Sequence, residues 1–283
     1  MEKAIKRYFP IFLIPTMIAF TIGFIVPFVY GIFLSFCKFT TVTDWQWKGL
    51  ENYTRILFVN GKLDTTFLHS LWYTALFTIV SVLIINVVAF AIGMLLTKGI
   101  KGTNLFRTVF FMPNLIGGIV LSYIWLMIFN SFLAHFSKTI VSTQWYAFWG
   151  LIIVVCWQQI GYMMILYIAG LQAIPEDMLE AAEIDGATGM QKLFKVTIPN
   201  MMSSFTICLF LSLSNGFKLF DQNIALTAGQ PFIWKGATQI KTTEMLALNI
   251  YTEFYGSNTA ARGFAQAKAV VFFIFVAALG LLQ

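Results

Sequence analysis

Charge is scarce in this sequence: 11% of its 283 residues are Asp, Glu, Lys or Arg, against about a quarter in an ordinary soluble domain. Hydrophobic residues make up 59% and the mean hydropathy is +0.80, which excludes a water-soluble globular fold and makes the chain an integral membrane protein. Cysteine is equally thin. Cys37, Cys156 and Cys208 are odd in number, far apart and set in apolar surroundings, where a thiol behaves as a small hydrophobe. Neither a disulfide framework nor a metal site follows from them. The two histidines, His69 and His135, are too few and too separated to ligate a metal, and their places near span ends put them in solvent. Also missing are a G-x-x-x-x-G-K-[ST] phosphate loop, H-E-x-x-H, G-x-S-x-G and paired carboxylates within the apolar runs. The expectation is a chain with no catalytic residue, no metal and no cofactor of its own. The formal charge of +6 is carried by residues that flank apolar runs, a pattern that sets membrane orientation and excludes nucleic acid as a partner.

What the sequence has in abundance is long apolar runs. Those reaching the roughly 20 residues of a spanning helix lie at 11–36, 70–97, 107–129, 146–171, 201–220 and 263–282, predicting an all-α polytopic membrane protein with six transmembrane helices. The first run follows Lys3, Lys6 and Arg7; it exceeds the roughly 7 to 15 residues of a signal-peptide core and lacks a small-residue cleavage pattern, so it reads as a retained span. Residues 1–69 form an N-terminal tail, first span and outer loop. Residues 70–283 form a core of five spans, with a polar loop at 172–200 and a long outer loop at 221–262. A raw count of Lys and Arg does not separate the two sides. Short acid-free flanks holding Lys3, Lys6, Arg7, Lys98, Lys101 and Arg107 do, and they place both termini and the 172–200 loop in the cytoplasm.

That loop is the stretch "IPEDMLEAAEIDGATGMQKLFKVTIP", and five of the chain's 12 acidic residues (Glu176, Asp177, Glu180, Glu183 and Asp185) gather in it. Pro175 with Glu176 and Asp177 behind it marks a helix start, where carboxylates meet the positive dipole end. Gly186 marks its stop. Thr188 and Gln191 form a capping box for a second helix with Met190, Leu193 and Phe194 on one face. A solvated loop would explain the charges but not two capped helices.

Glu180, Ala181, Ala182, Asp185, Gly186, Ala187, Gln191, Phe194, Ile198 and Pro199 resemble the EAA motif of ABC-importer permeases. "PFVYGIFLSF", "FRTVFFMP", "FDQNIALTAGQP" and "TEMLALNIYTEFYG" extend the similarity over nearly the whole chain, toward the carbohydrate-uptake branch with its MalF-like and glycerol-phosphate-permease-like subunits. Gln230 stands where that branch usually has a glycine, and the large extra outer domain of the enterobacterial maltose subunit is missing. The resemblance implies the type I importer (MetI-like) fold, a heterodimer with a second homologous permease, a cytoplasmic ATPase dimer that binds ATP and Mg, and an extracytoplasmic solute-binding protein. It also implies that the 172–200 loop is a coupling helix, with Glu180 and Asp185 facing polar or basic groups of the ATPase, Ala181, Ala182 and Ile184 filling its groove, and Gly186 making the corner.

Polar groups inside a membrane are costly and tend to face a bundle interior or cavity. In the fourth span, Trp157, Gln158, Gln159 and Tyr162 combine amides with aromatic faces, as sugar binding requires. The fifth adds Ser212, Ser214 and Asn215, with Lys218 and Asp221 able to neutralise one another at adjacent turns. Location in these two spans is also where the resembled family contacts sugar; the alternative for each residue is an interhelical hydrogen bond, the reading given to Asn86. Lys268 is expected to snorkel to the outer interface. A permease of an ATP-driven sugar importer is the expectation. The alternatives are an ion-gradient-driven secondary transporter, which would want a carboxylate deep in a span, or the same importer class carrying a glycerol phosphoester or polyol.

Overall fold

The computed structural model describes residues 2–59, 62–63, 65–236, 238–256 and 261–282. Residues 60, 61 and 64 of the first outer loop and 237 and 257–260 of the second lie outside the described residues, as do the side chains of Lys3, Lys6 and Arg7. The chain divides into two compact units, one of residues 1–64 and 250–275, the other of 65–249 and 276–283.

The first unit opens with α1 (Glu2–Phe20), a π turn (Thr21–Ile25) and α2 (Val26–Ser35), a nearly continuous apolar helix. A strand pair follows, β1 (Cys37–Thr41) with β2 (Asp44–Trp47), then α3 (Glu51–Leu57) and a second pair, β3 (Phe58–Val59) with β4 (Lys62–Leu63). The 38–69 segment, expected as a loop, is therefore folded wherever it is described. Asn52 explains why: buried, it donates to the carbonyls of Ser35 (2.8 Å) and Cys37 (3.0 Å), stitching α3 to the end of α2.

The second unit is built on α4 (Thr65–Leu96), α5 (Thr103–Phe111) with a 3₁₀ turn (Met112–Leu115), α6 (Gly118–Ala134) and α7 (Gln144–Gln172). It continues with α8 (Glu176–Ile184), α9 (Gly189–Lys192), a π turn (Leu193–Thr197), α10 (Ile198–Asn200), α11 (Met202–Phe217) and α12 (Asp221–Leu226). A hairpin of β5 (Phe232–Lys235) and β6 (Thr238–Lys241) leads to α13 (Leu246–Tyr255) and α14 (Arg262–Leu282), whose residues are divided between the two units at 249/250 and 275/276. The core lies along α4 and α7, where Tyr73, Phe77, Ile85, Leu151, Met163, Met164 and Tyr167 are buried together with Met201 and Cys208.

Among the described residues, four helices are long and apolar enough to cross a membrane: Phe9–Ser35, Thr65–Leu96, Gln144–Gln172 and Arg262–Leu282. Two more candidates are bent pairs, Thr103–Leu115 with Gly118–Ala134 at 99° and Gly189–Asn200 with Met202–Phe217 at 71°. Counting each pair as one crossing gives the six spans expected, but the third and fifth are not the straight helices expected over 107–129 and 201–220. In the third, Pro113 cannot donate to the helical ladder, and Ile116 (ψ 130°) and Gly117 (ψ 137°) leave the helical region altogether. The fifth turns at Met201, two residues beyond Pro199, and its helix stops at Phe217.

The 221–262 segment is likewise folded wherever it is described. Buried Asn223 donates to the Thr243 carbonyl (2.7 Å) and accepts from the Met245 amide (3.0 Å), while the Thr243 hydroxyl donates to the Gln230 carbonyl (2.6 Å). Gln230 enters this network through its backbone and without a positive φ, so its position does not demand glycine. His69 is not merely solvated: its Nε2 lies 3.0 Å from the Thr242 carbonyl. Lys268 does not snorkel. It is 1% exposed, 3.5 Å from the Glu253 carboxylate and 4.5 Å above the Phe264 ring, because these partners on α13 and α14 offset the charge inside the first unit.

Gly161 lets α5 approach α7: a Cβ there would overlap the Phe110 carbonyl. Gly161→Leu is expected to force the helices apart and destabilise the protein by about 2 kcal/mol or more, read as a lowered Tm in detergent. An unchanged Tm would show that this close approach is not maintained.

Candidate functional site

A cavity of about 250 Å³ lies within the second unit, between α4, α7, α11 and the start of α12. Its polar lining comes from Ser81, Gln159, Ser212, Asn215, Lys218, Asp221 and Gln222, its apolar lining from Ile85, Val155, Leu219 and Phe220. Asn215 donates to the Gln159 side-chain carbonyl at 3.3 Å, leaving further amide and hydroxyl valences to a guest.

Four of the expected substrate residues are thus brought together: Gln159, Ser212, Asn215 and Asp221. Trp157, Gln158 and Tyr162 are not among those lining the cavity, and for the first two helix geometry gives the reason. At about 100° per residue, positions 157, 158 and 159 point in three directions, and only those spaced by 3 or 4 share a face; Val155 and Gln159 do so here. Trp157 packs edge-on against Trp125 at 5.4 Å on a half-exposed face, and Tyr162 is half-buried against the core. Gln158 is buried and engaged through both its amide nitrogen and its oxygen. It donates to the Ile116 carbonyl (2.9 Å) at the break of the third span and accepts from Gln222 (2.6 Å) on α12.

Lys218 and Asp221 both line the cavity, yet no ion pair joins them. The expected pairing presumed one continuous helix, whereas α11 ends at Phe217 and α12 begins afresh at Asp221. Ser212 is tied as well as lining: its hydroxyl donates to the Cys208 carbonyl (2.7 Å) and accepts from Asn86 (2.9 Å), which in turn accepts from Tyr167 (2.7 Å). Asn86 therefore glues α4, α7 and α11, as expected. Ser81 and Gln222 were missed in the sequence; Ser81 follows Thr74 and Thr78 at near-helical spacing in an apolar run, a polar row that could have marked it.

About 20 Å further along α7 from Gln159, the chain leaves the bundle as the acidic helix pair. Helix α8 begins after Pro175 with Glu176 and Asp177 in its first turn. It closes at Gly186, whose φ of +75° is the left-handed conformation that glycine adopts without strain. The amides of Gly186 and Ala187 donate to the carbonyls of Glu183 and Ala182, both at 3.0 Å. The capping box is present, with the Thr188 amide donating to Gln191 (2.8 Å) and the Gln191 amide to Thr188 (3.4 Å). Lys192 pairs with Glu183 across the corner. Glu180, Ala181 and Asp185 are exposed and Ala182 half-buried, and three large apolar side chains are left uncovered: Ile184 at 86%, Met190 at 66% and Phe194 at 60% exposure.

Apolar helices around a polar cavity, with a capped helix pair projecting from one end, define a multi-pass membrane transport protein. Residues 88–283 match the family model for the binding-protein-dependent transport system inner membrane component, and the chain belongs to that family, the permeases of ABC importers. It is 39% identical over 281 residues to the probable starch degradation products transport system permease protein AmyD of Thermoanaerobacterium thermosulfurigenes, covering 96% of this chain and 91% of that one. It is 30% identical over 294 residues to the multiple sugar-binding transport system permease protein MsmF of Streptococcus mutans, covering 100% and 96%. In fold it resembles a chain of a bacterial ABC transporter that imports the acidic polysaccharide alginate, with a TM-score of 0.77, 18% identity and coverage of 99% and 95%.

Gln158→Leu is expected to lower stability, since the Ile116 carbonyl and the Gln222 amide would each lose a buried partner at about 1–3 kcal/mol. Trp157→Leu should be close to neutral. Paired thermal melts in detergent test this, and equal Tm values for the two variants would refute the clamp.

Proposed function

We propose that this chain is one of two permease subunits of an ATP-driven importer of sugars or oligosaccharides, and that it binds no nucleotide itself. The observation that carries this reading is the presence, in one unit, of an amide- and hydroxyl-lined cavity together with an exposed, capped helix pair bearing the EAA residues. Gln159, Ser212 and Asn215 offer donors and acceptors suited to a neutral, hydroxyl-rich solute, and Lys218 and Asp221 bring opposite charges to one space. The starch-product and multiple-sugar permeases named above support the same substrate class.

In this reading both termini and the 172–200 loop face the cytoplasm. Ile184, Met190 and Phe194 seat in a groove of an ATPase dimer that binds ATP and Mg, with Glu180 and Asp185 against its polar or basic rim and Ala181 and Ala182 allowing close approach. Leaving three such side chains in water is unfavourable by about 25 cal/mol per Å², which favours a partner. A second homologous permease completes the path, and an extracytoplasmic solute-binding protein delivers substrate to the 38–69 and 221–262 segments.

Reconstituted vesicles holding both permeases, the ATPase and the binding protein should take up labelled maltodextrins in preference to charged solutes. Gln159→Leu should reduce uptake about tenfold, as a buried sugar hydroxyl loses its partner, while ATPase binding persists. Preference for a glycerol phosphoester, or normal uptake by the variant, would move the substrate assignment to another class or site.

Glu180→Lys and Gly186→Leu should leave the protein in the membrane but abolish substrate-stimulated ATP hydrolysis, the first by reversing a docking charge and the second by straining the corner. Normal coupling in both variants would refute the assignment of the helix pair.

A further inference from the structure

The hydrogen-bonded clamp behind the cavity wall has a direction. A backbone carbonyl only accepts, so at Ile116, where the third span breaks, Gln158 must present its amide nitrogen, and it does so at 2.9 Å. Its oxygen is thereby turned toward α12. That oxygen also only accepts, so Gln222 must present its own nitrogen, at 2.6 Å. One end of the chain of bonds cannot be reversed, and both amides are oriented by it.

Gln222 is buried, and its nitrogen end is enclosed. A Cβ on Gly118, the first residue of α6, would lie 2.9 Å from its Nε2 and 3.1 Å from its Cδ. What remains is Oε1. It has no hydrogen-bond partner among the described residues, yet it is not one of the polar atoms sealed from any guest, as the Thr78 hydroxyl is, and Gln222 lines the cavity. The other amide pair of the lining has no such anchor. Asn215 donates to Gln159 at 3.3 Å, and neither side chain makes a further hydrogen bond among the described residues, so both can turn over together and offer a guest either polarity.

We infer that Gln222 is a specificity-determining residue of the permease and Gln158 its positioning residue: the Ile116 carbonyl, acting through Gln158, holds Gln222 Oε1 in the cavity as an acceptor. That acceptor takes a solute hydroxyl that donates, and it meets an ether oxygen or a fluorine at the same place lone pair against lone pair. The inference rests on the sugar-importer reading and deepens it, since it requires a free hydroxyl at one position of the solute where that reading requires polarity in general.

Reconstituted vesicles holding both permeases, the ATPase and the binding protein test it with maltotriose and its singly deoxyfluorinated analogues, in which fluorine replaces a hydroxyl but cannot donate. Initial uptake of each analogue at subsaturating concentration is divided by that of maltotriose, which compares kcat/KM values. The binding protein is the same in every sample, so its own preferences cancel when a variant's ratios are divided by those of the wild type. Gln222→Met, which keeps the side-chain length and loses the acceptor, should relieve the fluorine penalty about tenfold at one ring position and leave the others unchanged. Gln158→Met should relieve the same position about threefold, because the freed Gln222 amide can turn its nitrogen to the guest; a purely structural Gln158 would lower uptake of every sugar alike. Either variant alone carries the comparison should the other fail to assemble. Unchanged ratios in an assembled variant, or relief spread evenly over all positions, would overturn the inference and leave the importer reading standing. A wild-type importer that takes up no maltotriose would remove that reading and this inference with it.

Discussion

In hydrocarbon no water is available to a backbone carbonyl, so each must be satisfied from within the protein. That constraint makes the apolar runs helical, and it also governs the places where the helices break. At Ile116 the third span leaves the helical region, and a side chain from another helix, Gln158, donates to the carbonyl there. Gln158 then accepts from Gln222, which lines the cavity. The break, the clamp and the cavity wall are one hydrogen-bonded arrangement, so the shape of the site depends on how the backbone is satisfied some distance away in sequence.

The same rule explains the polar residues that bond within the protein. Asn86, Tyr167 and Ser212 bond one another across three helices, Asn223 and Thr243 hold the 221–249 segment together, and Asn52 fastens α3 to α2. A polar side chain in such a chain has two possible employments, closing the structure or meeting a solute, and Ser212 does both. The helix pair after α7 obeys the opposite logic. Its backbone is self-sufficient, closed by Gly186 and the capping box, and its apolar side chains are what lack partners.

Much of the site was legible in the chain because the signals are local. The helix start at Pro175, the glycine corner and the Thr188–Gln191 box each depend on residues within a turn of one another, and all appear as read. Gln159, Ser212, Asn215 and Asp221 also meet as their types implied. The misreadings share a different character. Trp157 and Gln158 were grouped with Gln159 by nearness in sequence, whereas helical rotation sends them elsewhere, and Tyr162, one turn on from Gln159, packs against the core; Lys218 and Asp221 were paired across a helix that in fact ends between them.

By itself, then, the sequence determined the membrane class, the apolar segments that supply six crossings and the capped helix pair, since hydropathy and capping act over one to a few turns. Only the tertiary structure decided which polar side chains line the cavity, that the third and fifth spans bend, and that Lys268 is buried beside Glu253 and Phe264. These outcomes turn on partners remote in the chain: α4 and α11 against α7 for the cavity, and α13 against α14 for the lysine. The free energy of a buried polar group is set by what faces it across the interface, and no local pattern encodes that neighbour.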